Sequence, residues 1–128
     1  MARVLIVEDN PANMTLAVFL LETVGHTVLS ATNAEAGLAL ARDEQPDLIL
    51  MDVQLPGMDG LEAATLLKGD EATRAIPVIA LTAFAMKGDE ERILAAGCDG
   101  YIAKPMQYRE FLDTVAAHLA GAVPQIRS

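Results

Sequence analysis

Three carboxylates stand where short apolar runs give way to loops. Asp52 closes the run Asp47-Leu48-Ile49-Leu50-Met51-Asp52, and the chain then turns through Val53-Gln54-Leu55-Pro56-Gly57. Val4-Leu5-Ile6-Val7 likewise ends in Glu8 and Asp9, with Asn10-Pro11 following. A carboxylate at the mouth of a buried strand is held by the strand and open to a reactant, which suits an acceptor of chemistry. If the two strands are parallel neighbours, Glu8, Asp9 and Asp52 converge at one sheet edge, where like charges repel unless protons or a cation intervene. A hard divalent cation is the natural tenant of such an oxygen cluster. Thr82, after Val78 to Leu81, and Lys104, after Gly100 to Ala103, add a hydroxyl and an ammonium if their strands join the same sheet.

The elements that must position these groups alternate in type. Strands are expected over Arg3 to Val7, Thr27 to Ala31, Leu48 to Met51, Val78 to Leu81 and Gly100 to Ala103. Helices are expected over Pro11 to Val24, Ala34 to Glu44, Leu61 to Lys68, Asp89 to Ala96 and Tyr108 to Leu119. Asn10 is a good N-cap and Pro11 suits the first helical turn, where its missing N–H would be unpaired anyway. Gly25 stops that helix. Thr32-Asn33-Ala34-Glu35 fits a capping box for the second helix, with Thr32 as the cap. Gly57 and Gly60 are read as turn residues with positive φ. Repeated strand and helix implies an α/β fold, a five-stranded parallel sheet covered on both faces. The doubly wound, flavodoxin-like order 2-1-3-4-5 follows, and it places ligands beyond the strand ends at the reversal between strands one and three. Those are the strands that end in Glu8, Asp9 and Asp52.

Composition removes several classes of function. The 128 residues suffice for one domain with a sizeable core, expected over residues 1–120 and followed by a flexible tail at 121–128. A net charge of -9 repels nucleic-acid phosphates and anionic membranes, so neither partner is expected. The longest apolar run, Leu16 to Leu21, is too short to span a bilayer and no signal peptide is evident, so the chain is expected in the cytoplasm. Cys98 has no second thiol and is read as a small reduced residue. His26 and His118 stand apart from the acids.

Val7-Glu8-Asp9-Asn10, Met51-Asp52-Val53-Gln54-Leu55-Pro56-Gly57-Met58-Asp59-Gly60, Leu81-Thr82-Ala83 and Lys104-Pro105 resemble, in order and spacing, the receiver domain of two-component response regulators. The run Ala83 to Arg92 is similar to that of single-domain cell-cycle regulators related to DivK, and the fold order is that of the chemotaxis-type regulators. The resemblance implies that Asp52 accepts a phosphoryl group from a histidine kinase or histidine phosphotransfer protein. It implies Mg2+ held by Asp9, Asp52 and the backbone carbonyl of Gln54, with Glu8, where many relatives have Asp, reaching through water. Lys104 and Thr82 would contact phosphoryl oxygens, and Lys104-Pro105 would be a cis peptide. Gln54 and Phe84 occupy the positions that tune hydrolysis of the phosphoryl group. A monomer that signals to a downstream protein target, with self-phosphorylation and autodephosphorylation but no turnover of a separate substrate, completes the expectation.

Two further features leave alternatives open. Tyr101 matches the family's aromatic switch position, and the other reading is an ordinary half-buried strand tyrosine. The first helix is apolar nearly all round, from Met14 through Leu21, whereas a helix outside a sheet buries one stripe. Val18 and Met14 are expected to dock the kinase or phosphotransfer partner, with dense core packing or a dimer contact as the other readings. Rival functions fit less well. A haloacid-dehalogenase-like phosphatase needs a second acid two residues after its nucleophile, where Gln54 stands, and a flavodoxin-like cofactor binder needs a glycine-rich phosphate cradle that these acidic loops lack.

Overall fold

The computed structural model describes residues 2–83 and 87–120, with Lys87 described by its backbone alone. Strands and helices alternate: β1 (Arg3–Val7), α1 (Pro11–Thr23), β2 (Thr27–Ala31), α2 (Ala34–Glu44), β3 (Leu48–Asp52), α3 (Gly60–Gly69), β4 (Val78–Thr82), α4 (Lys87–Ala95), β5 (Gly100–Ala103) and α5 (Tyr108–Leu119). All strands are parallel in the order β2-β1-β3-β4-β5. The central β3 and β4 are buried throughout, while the edge strands β2 and β5 are only partly so.

Alternate residues of each strand face opposite sides of the sheet, and this divides the core in two. Leu5, Val7, Ile49, Met51 and Val78 belong to one cluster, with Leu38 of α2, Leu67 of α3 and Ile93 of α4. Val4, Ile6, Leu50 and Ile79 belong to the other, with Leu21 of α1 and Phe111 of α5. Strands buried on both sides read as continuous apolar runs, which is why β1, β3 and β4 were evident in the sequence.

Most element ends match expectation, and the differences have local causes. Asn10 caps α1, its side chain accepting from the Asn13 N–H at 3.0 Å. α1 ends at Thr23, with Gly25 at φ 90°. The capping box at Thr32 is not formed: Asn33 caps α2, accepting from the Ala36 N–H at 2.8 Å. Both residues are competent caps, and one register step decides between them. α4 starts at Lys87 and ends at Ala95, slightly earlier than the sequence suggested. Gly57 has the expected positive φ of 76°, but Gly60 does not; it is the first residue of α3 and is buried.

Candidate functional site

Strand register, more than any loop, assembles the site. Val7 lies opposite Met51, Asp52 opposite Leu81, and Thr82 opposite Ala103. Glu8, Asp52, Thr82 and Lys104 therefore leave the sheet side by side. Main-chain bonds continue the ladder past the strand ends: Glu8 N–H to Ala31 O at 3.0 Å, Val53 N–H to Leu81 O at 3.0 Å, and Lys104 N–H to Thr82 O at 2.8 Å. The Lys104–Pro105 peptide is cis.

The Lys104 ammonium sits between two buried acids, 2.9 Å from Glu8 Oε1 and 3.1 Å from Asp52 Oδ1. Glu8 and Asp52 are 1% and 2% exposed, so neither charge is relieved by water. The Gln54 N–H also donates to Asp52 Oδ1, at 3.0 Å. Two donors converging on one oxygen fix the rotation of the carboxylate. Glu8 Oε2 accepts from the Asn10 N–H at 3.1 Å, whereas Oε1 has the ammonium as an ion-pair neighbour without the alignment of a hydrogen bond. Burial, and then the Glu8 carboxyl beside it, push the Asp52 carboxyl above the usual carboxylate range, against the Gln54 N–H and Lys104, which pull it down. Burial alone would lower Lys104, but Glu8 and Asp52 outweigh it and hold the ammonium above its usual value.

Asp9 completes the set from the exposed rim. One carboxylate oxygen from each of Glu8, Asp9 and Asp52 lies within 4.8 Å of the other two. A buried carboxylate oxygen lacking a hydrogen bond, two further acids at that spacing and an all-oxygen donor set fit a hard divalent cation. The cleft above them is lined by Glu8, Asp9, Asn13, Asp52, Gln54 and Lys104. Thr82 is buried at the end of β4 and borders the adjoining hollow toward α4, which it shares with Gln54, Asp59 and Ile93.

Tyr101 is half-buried against the α2–α4 side of the core, and its hydroxyl donates to Glu90 Oε2 of α4 at 2.5 Å. That bond raises the Tyr101 phenol above its usual range. Tyr101 pairs with Ala80, whose face of β4 carries Thr82 two residues on, so the two residues of the expected switch lie on one face of the sheet. On α1, Met14 and Val18 are partly buried against the core, and the exposed apolar side chains are Leu16 and Phe19, at 39% and 62%. Phe84 and the tail 121–128 lie outside the described residues. Cys98 is buried, and burial pushes its thiol up to about 11. Among the described residues no helix is long and apolar enough to cross a membrane.

Sequence reasoning missed two residues here. Glu90, the partner of Tyr101, looked like one more acid in a charged run. Gly60 looked like a turn residue, though the Asp59-Gly60 pair carried a signal: Asp59 is the N-cap of α3, accepting from the Glu62 N–H at 2.8 Å, which makes the glycine helical.

Sequence and fold both resemble those of known response regulators and receiver domains. The sequence profile of the response regulator receiver domain matches residues 4–116. The chain is 51% identical over 119 residues to the polar-differentiation response regulator DivK of Brucella anthropi, covering 93% of this chain and 97% of that protein. A putative response regulator from Chloroflexus aurantiacus superposes with a TM-score of 0.89 at 28% identity, over 93% of this chain and 98% of that one. The receiver domain of the sensor histidine kinase PA1611 from Pseudomonas aeruginosa, solved with a magnesium ion coordinated in its active-site cleft, gives 0.85 at 36% identity, over 94% and 98%.

Proposed function

Because the chain belongs to the response regulator receiver domain family of two-component systems, we propose that it is a DivK-like single-domain regulator that takes a phosphoryl group onto Asp52 and signals by phosphorylation-dependent protein binding. The observation that carries this reading is the Glu8–Lys104–Asp52 cluster at the reversal point of the sheet.

Phosphoryl transfer needs positioning and charge stabilisation more than a strong base. Asp52 has its carboxylate orientation set by the Gln54 N–H and the Lys104 ammonium. In the transfer an Asp52 oxygen attacks phosphorus, the bond from phosphorus to the donor imidazole breaks, and that nitrogen keeps the electron pair. Lys104 is placed to follow the incoming charge, moving from the carboxylates to a phosphoryl oxygen as a mobile point charge. Thr82 supplies a hydroxyl to another oxygen from the neighbouring strand end. Asp9 and Asp52, with the Gln54 carbonyl and with Glu8 behind them, would hold a magnesium ion. That ion, when bound, supplies charge neutralisation for acids and phosphoryl oxygens alike.

Signalling follows from the shared face of Thr82 and Tyr101. Movement of Thr82 toward the phosphoryl group changes the space beside Tyr101, whose hydroxyl is tied to α4, and so reshapes the surface of α4, β5 and α5. The donor is a histidine kinase or histidine phosphotransfer protein docking on α1, where Leu16 and Phe19 offer the apolar surface and Met14 and Val18 support it from beneath. The downstream target is a protein. The domain spans residues 1–120, acts as a monomer in the cytoplasm, and has no nucleic-acid or membrane partner.

Incubation with acetyl phosphate and magnesium, followed by intact mass, should add one phosphoryl group to the wild type and none to Asp52→Asn. A full mass shift in Asp52→Asn, or none in either protein, would reject the proposal.

A further inference from the structure

We infer that Gly60, outside the acid cluster, is a positioning residue for the phosphoacceptor: the absence of a side chain there lets the start of α3 rest against the main chain of Asp52. This rests on the reading of Asp52 as the acceptor.

A glycine at the first position of a helix has two possible reasons, conformation or space. Conformation is excluded, because the described glycines with positive φ are Gly25, Gly57 and Gly97. Space decides. A β-carbon on Gly60 would lie 2.0 Å from the Asp52 carbonyl oxygen, 2.8 Å from its carbonyl carbon and 3.0 Å from Met51 Cγ. The first two are backbone atoms of a central strand and cannot swing aside like a side-chain tip. Gly69, the last residue of the same helix, has nothing within 4 Å of its would-be β-carbon.

The contact ties helix to acceptor through a short circuit. The Gly60 N–H donates to Val53 O at 3.0 Å, closing the loop that leaves β3, and inside this loop the Gln54 N–H donates to Asp52 Oδ1. Any β-carbon at position 60 must open the 2.0 Å contact by about 1.4 Å or more to reach ordinary separation, and the atoms that give way are those that aim the Asp52 carboxylate. A misplacement of about 1 Å at a reacting group can lower a rate by about a hundredfold. Shared between strand and helix, the expected loss is about tenfold or more.

The test compares Gly60→Ala with Gly69→Ala and wild type. Two quantities are read: the rate of phosphorylation by acetyl phosphate with magnesium, and the amide resonance of Gln54 without metal, which reports the bond to Asp52. The proposal expects both to change in Gly60→Ala, the rate by about tenfold or more, and neither in Gly69→Ala. A folded Gly60→Ala that matches wild type in rate and in the Gln54 resonance overturns it, whatever its urea midpoint. If Gly60→Ala does not fold in buffer, both readings are taken in trimethylamine N-oxide, which favours the compact state. A variant that stays unfolded there while Gly69→Ala folds shows that Gly60 serves the fold alone, and also overturns the proposal. Wild type that takes no phosphoryl group refutes the acceptor reading instead.

Discussion

Replacing Lys104 with methionine removes one positive charge from between two buried carboxylates and keeps much of the apolar stem. The ammonium lies 2.9 Å from Glu8 Oε1 and 3.1 Å from Asp52 Oδ1. Each contact is an attraction of about 5 kcal/mol at an effective dielectric constant of about 20, before the loss of several kcal/mol for taking the ammonium out of water. The net effect of the substitution has a ceiling set by titration. An unpaired acid takes up a proton once its pKa passes the solution pH, and each unit of upward shift corresponds to about 1.4 kcal/mol. From the ordinary carboxyl value of 3.8 for Asp52, the ceiling on its share is about 4 kcal/mol at pH 7 and under about 2 kcal/mol at pH 5.

Wild type already draws on part of that reserve, since Asp52 is held above its usual range. Lys104→Met should therefore lose about 2–4 kcal/mol of unfolding free energy at pH 7, and clearly less at pH 5. Magnesium should recover part of the loss at pH 7, because an ion held by the folded acids and not by the unfolded chain stabilises the fold. The chain has no tryptophan, so the assay is urea unfolding followed by far-ultraviolet circular dichroism, extrapolated linearly to water. An equal loss at both pH values would show that the ammonium does not neutralise the acids and would remove the electrostatic basis of the site, and no recovery with magnesium would count against a cation site there.

Two other perturbations bear on the same cluster and its output. Since the folded-state pKa of Asp52 is raised, chiefly by burial and then by Glu8, the folded chain binds more protons than the unfolded one above pH 3.8, and stability falls as pH rises through the folded pKa. Asp52→Asn without divalent cation should thus be the more stable protein at pH 7, with the gap closing toward pH 3.8, and a variant less stable at pH 7 contradicts the sign. Glu90→Ala removes the acceptor of the Tyr101 hydroxyl; if that bond favours the unphosphorylated arrangement, affinity for beryllium fluoride, a phosphoryl mimic, should rise by about threefold to tenfold. Unchanged affinity in both Glu90→Ala and Tyr101→Phe would detach Tyr101 from the switch.

What could be read from the chain, and what could not, divides along physical lines. The order of strands followed from buried apolar runs between turn residues, and the acid cluster followed from that order, because in a parallel sheet the carboxyl ends of all strands lie along one edge. The placement of Lys104 between Glu8 and Asp52 depends on register, which residue types alone do not set. On α1 the difficulty was different: a helix apolar on every side has no preferred stripe. Its exposed face therefore emerged only in the fold, as Leu16 and Phe19, with Met14 and Val18 turned toward the core. Thr32 and Asn33 were chemically interchangeable caps, and Glu90 was one carboxylate among several until Tyr101 chose it.

The energetics of the cluster explain why such a site suits transient chemistry. Three acids gathered within 4.8 Å of one another repel when ionised, and one ammonium cannot neutralise all of them. A cation would be drawn there for the same reason. On the proposed function, phosphorylation of Asp52 would convert a buried carboxylate, whose pKa burial raises, into an anhydride whose charge lies farther out, toward Lys104 and Thr82. The ammonium would be the group released from Glu8 and Asp52 by that step, and its movement would link the arrival of the phosphoryl group to β5, the strand that also carries Tyr101. Any substitution that weakens the hold of Glu8 on Lys104 should therefore alter the response of Tyr101 as well as the stability of the site, even though Glu8 need not touch the phosphoryl group.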